Sequence, residues 1–415
     1  MEQNQYDYDV IVVGGGASGM MAAGRAGSLG KRVLLLEKNT TLGKKLAISG
    51  GGRCNITNAT YDIRALLERY GQAKDFLFSP FSQFGVEDTF TFFTLLGLPL
   101  VVQAQQRVFP QTEKASDVVR VLHEYLKKNN VTIETGVLVE KILFEKHLIT
   151  GIQTTDRVYR AKKYIIATGG VSHPETGSTG DGFAWLRTLG HTVKDPTPTI
   201  VPIGTRDTWS HALSGVSLAD MKITVFLDGK KQFHKRGGLL FTHFGLSGPL
   251  ILNLSGTVWD MLQSGQVTGQ IDMYPDKDIG TLDADFVAHF ELHKNKTLKN
   301  TLKDIVPLGM VPGIVILLSH LDFDKKVHSV TKEERRMLIG TLKALPVHIT
   351  ELLGFDKAVI ADGGVILEEI DMKTMRSKVC DNLYVTGDLL HVTRPSGGYS
   401  LQLCWTTGFV AGSDS

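Results

Sequence analysis

The sequence predicts an α/β chain that opens with a parallel β-sheet and continues into a β-rich region with a helical section. An apolar run at residues 10–13 leads into a glycine-rich loop and then into small residues typical of a helix. A second apolar run, residues 32–36, ends in Glu37. From Thr197 onward, alternating segments with the hairpin signal Asp228-Gly229 predict a β-rich second region.

The loop Gly14-Gly15-Gly16-Ala17-Ser18-Gly19 predicts a dinucleotide site. The three glycines expected to matter are Gly14 for a sharp turn, Gly16 for close approach of a pyrophosphate and Gly19 for tight helix–strand packing. The N-terminus of the helix after this loop offers free N–H groups and about half a positive charge to the phosphates. Glu37, eighteen residues past Gly19, can accept hydrogen bonds from both hydroxyls of an adenosine ribose. The alternative, a glycine turn without a ligand, leaves the position of Glu37 unexplained.

Composition narrows the class of protein. At 415 residues we expect two or three domains, and a net charge of +2 argues against an electrostatic nucleic-acid binder. Hydrophobic residues make up 42%, and no apolar run is long enough to span a bilayer. A strand by residue 8 leaves no room for a signal peptide. Three scattered cysteines favour a reducing, cytoplasmic setting and argue against a disulfide framework or a zinc site, so we expect no metal.

Two later strand ends distinguish FAD from NAD. Residues 162–166 lead into Ala167-Thr168-Gly169-Gly170, and residues 382–386 lead into Gly387-Asp388. With the first glycine loop they resemble the three-part signature of the two-dinucleotide-binding flavoproteins. The resemblance implies FAD, assigns its ribityl chain to Asp388 and places the adenine at the backbone of residues 137–139. A plain NAD dehydrogenase has no reason to return to its first domain so late in the chain.

Longer strings sharpen the resemblance. They cover residues 43–58, 107–110, 114–119, 176–182, 239–249 and 397–402. Together they resemble a bacterial family of predicted flavoproteins that includes aminoacetone oxidase-like enzymes and a flavin reductase linked to bile-acid dehydroxylation. That family implies an α/β fold, with a Rossmann-type FAD domain interrupted by a β-barrel-like domain that carries a helical insert. This chain departs from the family by having Asp388 instead of Glu, and by replacing an acidic stretch with residues 391–396.

The residue pattern also predicts individual elements. Helices are expected over residues 116–128 and about 400–410, and strands over 132–135 and 137–144. Val311-Pro312-Gly313 is expected to interrupt the helical section, and residues 331–334 form a capping-box pattern.

These observations predict the domain order. We expect 1–195 as the first part of the FAD domain, 196–279 and 346–375 as the two parts of the β-rich domain, 280–345 as the helical insert and 376–415 as the C-terminal return. Between residues 196 and 375 no second G-x-G-x-x-G follows a strand, so no separate NADPH domain is expected. NAD(P)H would then be a transient electron donor that docks without one.

The predicted FAD ligands come from these strings, with the glycines of residues 50–52 letting the backbone pass close to a flat ring. They are Gly14, Gly16, Ala17, Ser18, Gly19, Glu37, Lys38, Gly43, Lys45, Gly51, Arg53, Cys54, Asn55, Asn58, Val137, Val139, Ala167, Thr168, Gly169, Gly170, Thr179, Gly387, Asp388, Gly397, Gly398 and Tyr399.

Three residues are candidates for catalysis: His243, Cys54 and Tyr399. A neutral imidazole can take a proton as hydride leaves a substrate. Cys54 has no partner cysteine nearby, so packing or a polar contact competes with a redox role. For His243, and equally for His173 and His391, a structural role is the common alternative. Arg394 can hold an anionic substrate or be solvated.

The predicted function is a FAD-dependent oxidoreductase that acts on a small molecule by hydride transfer to or from the flavin. NAD(P)H, oxygen or an organic acceptor would be the electron partner. One alternative is an RNA-modifying flavoprotein, which would need a basic face. A second is a flavin-containing binding or assembly protein without turnover. No nucleic-acid or membrane partner is expected, and the oligomeric state is left open.

Overall fold

A computed structural model describes residues 6–307, 309–356, 358 and 360–415, so the parts of the domain assignment that fall on the remaining eight positions lie outside the described residues. The chain divides into two compact units. Unit 1 comprises Met1–Thr197 and Val359–Ser415, and unit 2 comprises Pro198–Ala358. Each unit has its own cluster of buried apolar side chains.

The described residues contain nineteen strands. They are β1 (Tyr8–Val13), β2 (Val33–Glu37), β3 (Thr57–Asn58), β4 (Leu100–Gln103), β5 (Arg107–Pro110), β6 (Thr132–Thr135), β7 (Val139–Glu145), β8 (Leu148–Thr154), β9 (Val158–Tyr159), β10 (Ala161–Ile166), β11 (Val193–Thr199), β12 (Ile203–Thr205), β13 (Ser217–Leu227), β14 (Lys230–Thr242), β15 (Gly245–Ser247), β16 (Val267–Asp272), β17 (Leu345–Leu352), β18 (Ile360–Val365) and β19 (Leu383–Val385).

The same residues contain fourteen α-helices. They are α1 (Ala17–Ser28), α2 (Lys44–Ile48), α3 (Ile63–Leu67), α4 (Lys74–Gln83), α5 (Val86–Leu95), α6 (Ala115–Lys128), α7 (Asp181–Thr188), α8 (Thr208–His211), α9 (Pro249–Leu262), α10 (Ile279–Leu292), α11 (Leu298–Ile305), α12 (Val311–Leu317), α13 (Lys332–Lys343) and α14 (Tyr399–Asp414).

Unit 1 is built on a five-stranded parallel sheet with the order β19-β10-β1-β2-β6. Strand β2 is buried along its whole length, as expected of a parallel strand covered on both faces. All five strands run the same way, so their carboxyl ends meet at one edge. That edge brings together the glycine loop, Glu37, Ala167 and Thr386, which predicts a ligand crevice there.

The last helix of the chain packs directly on the first. A Cβ atom added to Gly408 would lie 2.4 Å from the carbonyl oxygen of Ser18, and one added to Gly412 would lie 2.3 Å from that of Ala22. Two helix backbones can approach this closely only where side chains are missing. Helix α14 is therefore part of the core of unit 1. It begins at Tyr399, one residue before the predicted helix start at residue 400.

Unit 2 contains a closed barrel with the strand order β12-β15-β14-β13-β16-β17. Asp228 (φ 49°) and Gly229 (φ 74°) form the predicted turn between β13 and β14. Helices α10 to α13 supply the helical section. The predicted capping box opens α13, with Thr331 and Glu334 bonding each other's backbone N–H groups.

Two details differ from the sequence-based assignment. Residues 346–375, expected as one β-rich segment, are divided between the units, because β18 pairs with β11 while β17 closes the barrel. Val311-Pro312-Gly313, expected as an interruption of the helical pattern, starts α12 instead. Proline fits there because the first helical N–H groups lack internal partners anyway.

We expect the Gly412→Ala variant to destabilise unit 1 by about 1–3 kcal/mol, because the new methyl group must push α14 away from α1. Thermal unfolding followed by circular dichroism measures this. The matched control is Gly340→Ala in α13, where an added Cβ meets nothing within 4 Å. That change should stabilise unit 2 by about 0.5–1 kcal/mol. Equal effects of the two variants would contradict the packing described for α14.

Candidate active site

The glycine loop has the steric pattern that a bound pyrophosphate needs. A Cβ on Gly14 (φ 107°) would lie 2.5 Å from the carbonyl oxygen of Ala167, and one on Gly19 would lie 1.9 Å from that of Gly14. At Gly16, by contrast, an added Cβ meets nothing within 4 Å. No side chain caps the N-terminus of α1, and its first turn has no acidic residue. The packing of the fold therefore requires glycine at positions 14 and 19. Gly16 instead faces open space beside the N-terminus of α1.

Glu37 lies at the end of β2, where the sequence predicts a ribose ligand. Its side chain accepts hydrogen bonds from the N–H of Gly15 (2.6 Å) and from both the backbone N–H (2.8 Å) and side-chain amide (2.7 Å) of Asn39. A carboxylate offers about four acceptor positions, so three are in use. Accepting two ribose hydroxyls requires Asn39 or Gly15 to give up a hydrogen bond.

The turn after β10 carries an unpartnered polar group. The hydroxyl of Thr168 is buried without a hydrogen-bond partner, and so is that of Thr386 at the end of β19. Lys45 lies next to Gly169, where an added Cβ would come within 3.5 Å of its Nζ, and a Cβ on Gly170 would contact Asp388. Buried hydroxyls normally find a partner, so these two fit a polar ligand at the carboxyl edge of the sheet.

Asp388 is the centre of a buried charge cluster. Its carboxylate pairs with Lys45 (3.2 Å) and with Arg394, whose side chain is 1% exposed. Arg394 also donates to the carbonyl of Val392 (2.6 Å) and the hydroxyl of Ser400 (3.1 Å). Burial alone would raise the pKa of Asp388, but the two positive charges outweigh it and hold that pKa below its ordinary value. Arg394 is therefore not solvated, so that sequence-based reading is wrong, whereas a contact with an anionic substrate stays a prediction.

Residues 49–58 contain a run of left-handed glycines, including Gly50 (φ 57°) and Gly51 (φ 67°). Cys54 follows with φ 59° and no exposed surface. Burial raises the pKa of its thiol to about 12, so the reactive thiolate is scarce at neutral pH. This environment favours the packing role that competed with a redox role for Cys54.

The polar residues of this segment bind neighbouring loops. Arg53 stacks over Phe109 (4.2 Å), pairs with Glu113 and donates to Gln103, and its Nε is buried without a partner. The oxygen of Asn55 accepts from the N–H of Val108 (3.2 Å).

Asn58 connects two loops. Its amide donates to the carbonyls of Gln105 (3.2 Å) and Gly397 (3.1 Å), which joins residues 49–58 to the start of α14. Gly398 (φ 102°) caps that helix, and an added Cβ there would lie 2.3 Å from Thr57. Tyr399 begins α14 with its ring edge-on to Tyr70, 5.9 Å between centroids.

Lys38 and Thr179 lie together, because the Lys38 ammonium donates to the Thr179 hydroxyl (2.5 Å) and to Asp181 (2.7 Å). Gly43 (φ 68°) donates its N–H to the carbonyl of Gly15 (2.9 Å). The predicted ligands of the first loop, of residues 38–45 and of the 167–179 turn are thus brought to one edge of the sheet.

The predicted adenine region lies beside Glu37. The N–H of Val137 donates to the carbonyl of Glu37 (3.0 Å), and the strand expected from residue 137 begins at Val139. A cavity of about 390 Å³ opens here. Its lining residues are Glu134, Gly136, Val137, Leu138, Thr154, Thr155, Asp156, Arg157 and Tyr159.

The histidines have different surroundings. His243 belongs to unit 2, is exposed in the turn between β14 and β15, and contacts the ring of Phe244 edge-on (4.8 Å). His173 pairs with Glu175 (2.9 Å). His391, three residues after Asp388, has a buried Nδ1 without a hydrogen-bond partner.

Sequence reasoning missed a second buried polar group on the segment next to His391. Asp362, on β18, also has a buried oxygen, Oδ1, without a hydrogen-bond partner. The segments are adjacent, since the N–H of His391 donates to the carbonyl of Val365 (2.9 Å). Burial raises the pKa of Asp362, and the positive charge of Arg394 partly counteracts this effect. Burial and the positive charge of Lys194 lower the pKa of His391. Both pKa shifts favour the neutral form of the side chain. The only feature of the sequence that could have indicated this pair of residues is the two glycines after Asp362.

Comparison with known proteins identifies the family. The family model described as the HI0933-like protein Rossmann domain matches residues 8–414. The chain belongs to the HI0933-like family. It is a flavoprotein oxidoreductase with a Rossmann FAD-binding fold. This confirms the resemblance and the fold class predicted from the glycine loop and the two later strand ends.

Two relatives match almost end to end. A 3-dehydro-bile acid delta(4,6)-reductase from Clostridium scindens is 31% identical over 405 residues, 97% of each chain. A ribosomal RNA dihydrouridine synthase from Escherichia coli K12 is 29% identical over 407 residues, 98% of each chain. Among solved structures, a 3-ketosteroid-delta4-(5alpha)-dehydrogenase from Rhodococcus jostii RHA1 has a TM-score of 0.53 at 15% identity, covering 100% of this chain and 98% of the other. That last likeness concerns the fold alone. In the described part of the chain, no helix has both the length and the apolar character to cross a bilayer.

We expect Gly16→Val to fold and lose FAD. The backbone of Gly16 is extended (φ −82°, ψ −168°) and accepts a branched residue, while the isopropyl group occupies the open space beside α1. Absorbance of the purified protein measures the flavin bound per chain. A variant that unfolds cooperatively and still holds a full equivalent of FAD would contradict this position for the pyrophosphate.

Asp388→Asn should destabilise unit 1 by about 3–5 kcal/mol, because it leaves Arg394 buried without its charge partner. The folded-state pKa of Asp388 lies below its unfolded value. Its contribution is therefore complete above about pH 4 and is lost as the pH falls further. Unfolding midpoints of the FAD-free protein between pH 3 and 7 measure both effects.

The control for Asp388 is Asp195→Asn, which removes a carboxylate that is 92% exposed in its pair with Arg187. Its midpoint should match wild type at every pH. An Asp388→Asn variant that also matches wild type would show that the buried pair contributes nothing.

Proposed function

We propose that this protein is a FAD-dependent reductase that saturates a C=C bond conjugated to a carbonyl group in a small molecule. The observation that carries the proposal is the chemistry shared by the two full-length relatives. The name of one describes reduction of delta(4,6) double bonds in a 3-dehydro-bile acid, and the name of the other describes conversion of uridine to dihydrouridine. Both reactions add a hydride and a proton, which together are two hydrogen atoms, across a C=C bond near a carbonyl group.

Unit 1 supplies the proposed FAD contacts. The pyrophosphate would lie over Gly14, Gly16 and the first turn of α1, the ribose at Glu37, and the ribityl chain at Asp388. The N-terminus of α14, after Gly398, would carry its partial positive charge to the ring. FAD, when bound and reduced, supplies the hydride. NAD(P)H is the proposed source of those electrons.

Asp362 and His391 are the proposed proton source. Saturating such a bond requires a proton at the carbon next to the carbonyl and stabilisation of the developing enolate. Burial raises the pKa of the Asp362 carboxyl and so favours its protonated form, which is the form that can donate a proton. His391 lies on the adjacent segment with its Nδ1 unsatisfied. Its imidazole can pass a proton from solvent to Asp362 by taking up one proton at one ring nitrogen and releasing another from the second. The unsatisfied atoms of both residues support this role, because buried polar groups without partners are costly to maintain.

A uracil base of ribosomal RNA is the second candidate substrate. The name of the Escherichia coli relative and one surface of unit 2 are the reasons to test it. Strand β14 carries Lys230, Lys231 and Lys235, all exposed, on the arm of the β13–β14 hairpin. A basic strand of this kind can contact phosphates. The net charge of +2 remains the argument for a small molecule, and the expected absence of a nucleic-acid partner stays a prediction.

The test is anaerobic reoxidation of the reduced holoenzyme. A 3-oxo-Δ4,6 bile acid should restore the oxidised flavin absorbance and yield a product two hydrogens heavier by mass spectrometry. The Asp362→Asn variant should keep FAD and reduce the turnover about 10²–10⁴-fold, the usual loss on removing a general acid. Its pH–rate profile should lose the limb that reports the acid.

Ribosomal RNA lacking dihydrouridine serves as the parallel substrate. Reoxidation by RNA alone, weakened in Lys231→Glu, would establish the second candidate instead of the first. Reoxidation by neither would leave a flavin-binding protein without this activity. An Asp362→Asn enzyme with the wild-type profile would eliminate the acid–imidazole pair as the proton source.

A further inference from the structure

Unit 2 contains a cluster of metal-ligating side chains that the redox chemistry does not use. His289 lies on α10, His293 immediately follows that helix, and Asp304 lies on α11. The four-residue spacing puts both imidazoles on one helix face. One ligand atom from each of the three residues lies within 4.8 Å of the others, and the two imidazole centroids are 4.5 Å apart.

The electrostatics of the cluster suit a cation. Nε2 of His289 is buried without a hydrogen-bond partner, and it lies 4.0 Å from a carboxylate oxygen of Asp304. Burial lowers the pKa of His289, and the neighbouring charge of His293 lowers it further, so its neutral form dominates at neutral pH. The nearby Lys296 holds the pKa of Asp304 below its ordinary value. Two imidazoles and one carboxylate are a common donor set for divalent transition metals.

We propose that His289, His293 and Asp304 bind one Zn²⁺ ion, with water as the fourth ligand. Zinc takes nitrogen ligands at about 2.0–2.1 Å and carboxylate oxygens at about 2.0–2.2 Å, so tetrahedral ligand atoms lie roughly 3.3–3.5 Å apart. Side-chain shifts of about 1 Å or slightly more would bring the three ligand atoms, now within 4.8 Å of one another, to that separation. All three residues are partly solvent-exposed and have room for such shifts.

The ammonium of Lys296 is a positive charge that competes with a metal ion for Asp304. This ammonium lies 3.1 Å from the same carboxylate oxygen of Asp304. Zinc binding displaces this ammonium from Asp304, and the metal then joins the end of α10 to α11 across the connection at residues 293–297. The proposed site therefore has a structural role in the helical section of unit 2. The sequence-based expectation of no metal rested on the scattered cysteines, which say nothing about a histidine pair.

The test uses full-length holoenzyme freed of metal with a chelator. Zn²⁺ is titrated in competition with a chromogenic chelator, and thermal unfolding is followed with and without the metal. Wild type should bind one equivalent and melt at a higher temperature with zinc. His289→Ala and His293→Ala should each weaken binding by more than the about 10-fold to 100-fold that loss of an outer partner costs. Lys296→Gln should bind more tightly than wild type.

The control is His234→Ala, which removes an exposed histidine of the same unit and should bind zinc as wild type does. Unchanged far-ultraviolet circular dichroism and FAD content show that each variant is folded. Failure of wild type to bind one equivalent, or equal affinity in wild type and both ligand variants, would overturn the site. Because FAD reduction is not measured, the result is independent of the proposed reductase activity.

Discussion

The structure of unit 1 depends on the close contact between the glycine loop and the strand end beside it. Gly14 approaches the carbonyl of Ala167, and Gly19 approaches that of Gly14, at distances that leave no room for a side chain. These contacts set the position of α1. A glycine allows a similar close backbone contact at the C-terminal end of the chain, because Gly412 lets α14 pack against the backbone of α1. One steric constraint therefore joins the first and last segments, and it leaves the N-terminus of α1 uncapped beside the open space at Gly16.

Charge burial is the second determinant of this unit. Arg394 is almost fully buried, and the negative charge of Asp388 compensates it, with Lys45 on the other side of the carboxylate. The family resemblance pointed to Asp388 as a ribityl ligand, and its bonds to Lys45 and Arg394 fix the orientation of its carboxylate. Asp362 and His391 stand next to this compensated cluster with unsatisfied polar atoms. The contrast is the physical basis for assigning the first group to binding and the second to proton transfer.

The sequence predicted those features that are local along the chain. Strand β6, helix α6, the Asp228-Gly229 turn and the capping box at Thr331 follow from periodicity and turn chemistry. Features that depend on distant partners were not predictable in this way. The pairing of Asp388 with Lys45 joins residues far apart in the chain, Asp362 and His391 come from different segments, and the division of residues 346–375 is set by which strand β18 pairs with. The burial of Cys54 likewise depends on packing that its own segment does not encode.

The central claim is that the glycine loop of unit 1 holds the diphosphate of FAD. Isothermal titration calorimetry of the flavin-free protein with FAD and with FMN tests it most directly, because FMN lacks the adenosine and the second phosphate. Two charge-assisted hydrogen bonds to the second phosphate, at about 1.5–3 kcal/mol each, imply that FAD binds at least about 100-fold more tightly than FMN. Equal affinities for the two flavins, on protein that unfolds cooperatively, would contradict the account.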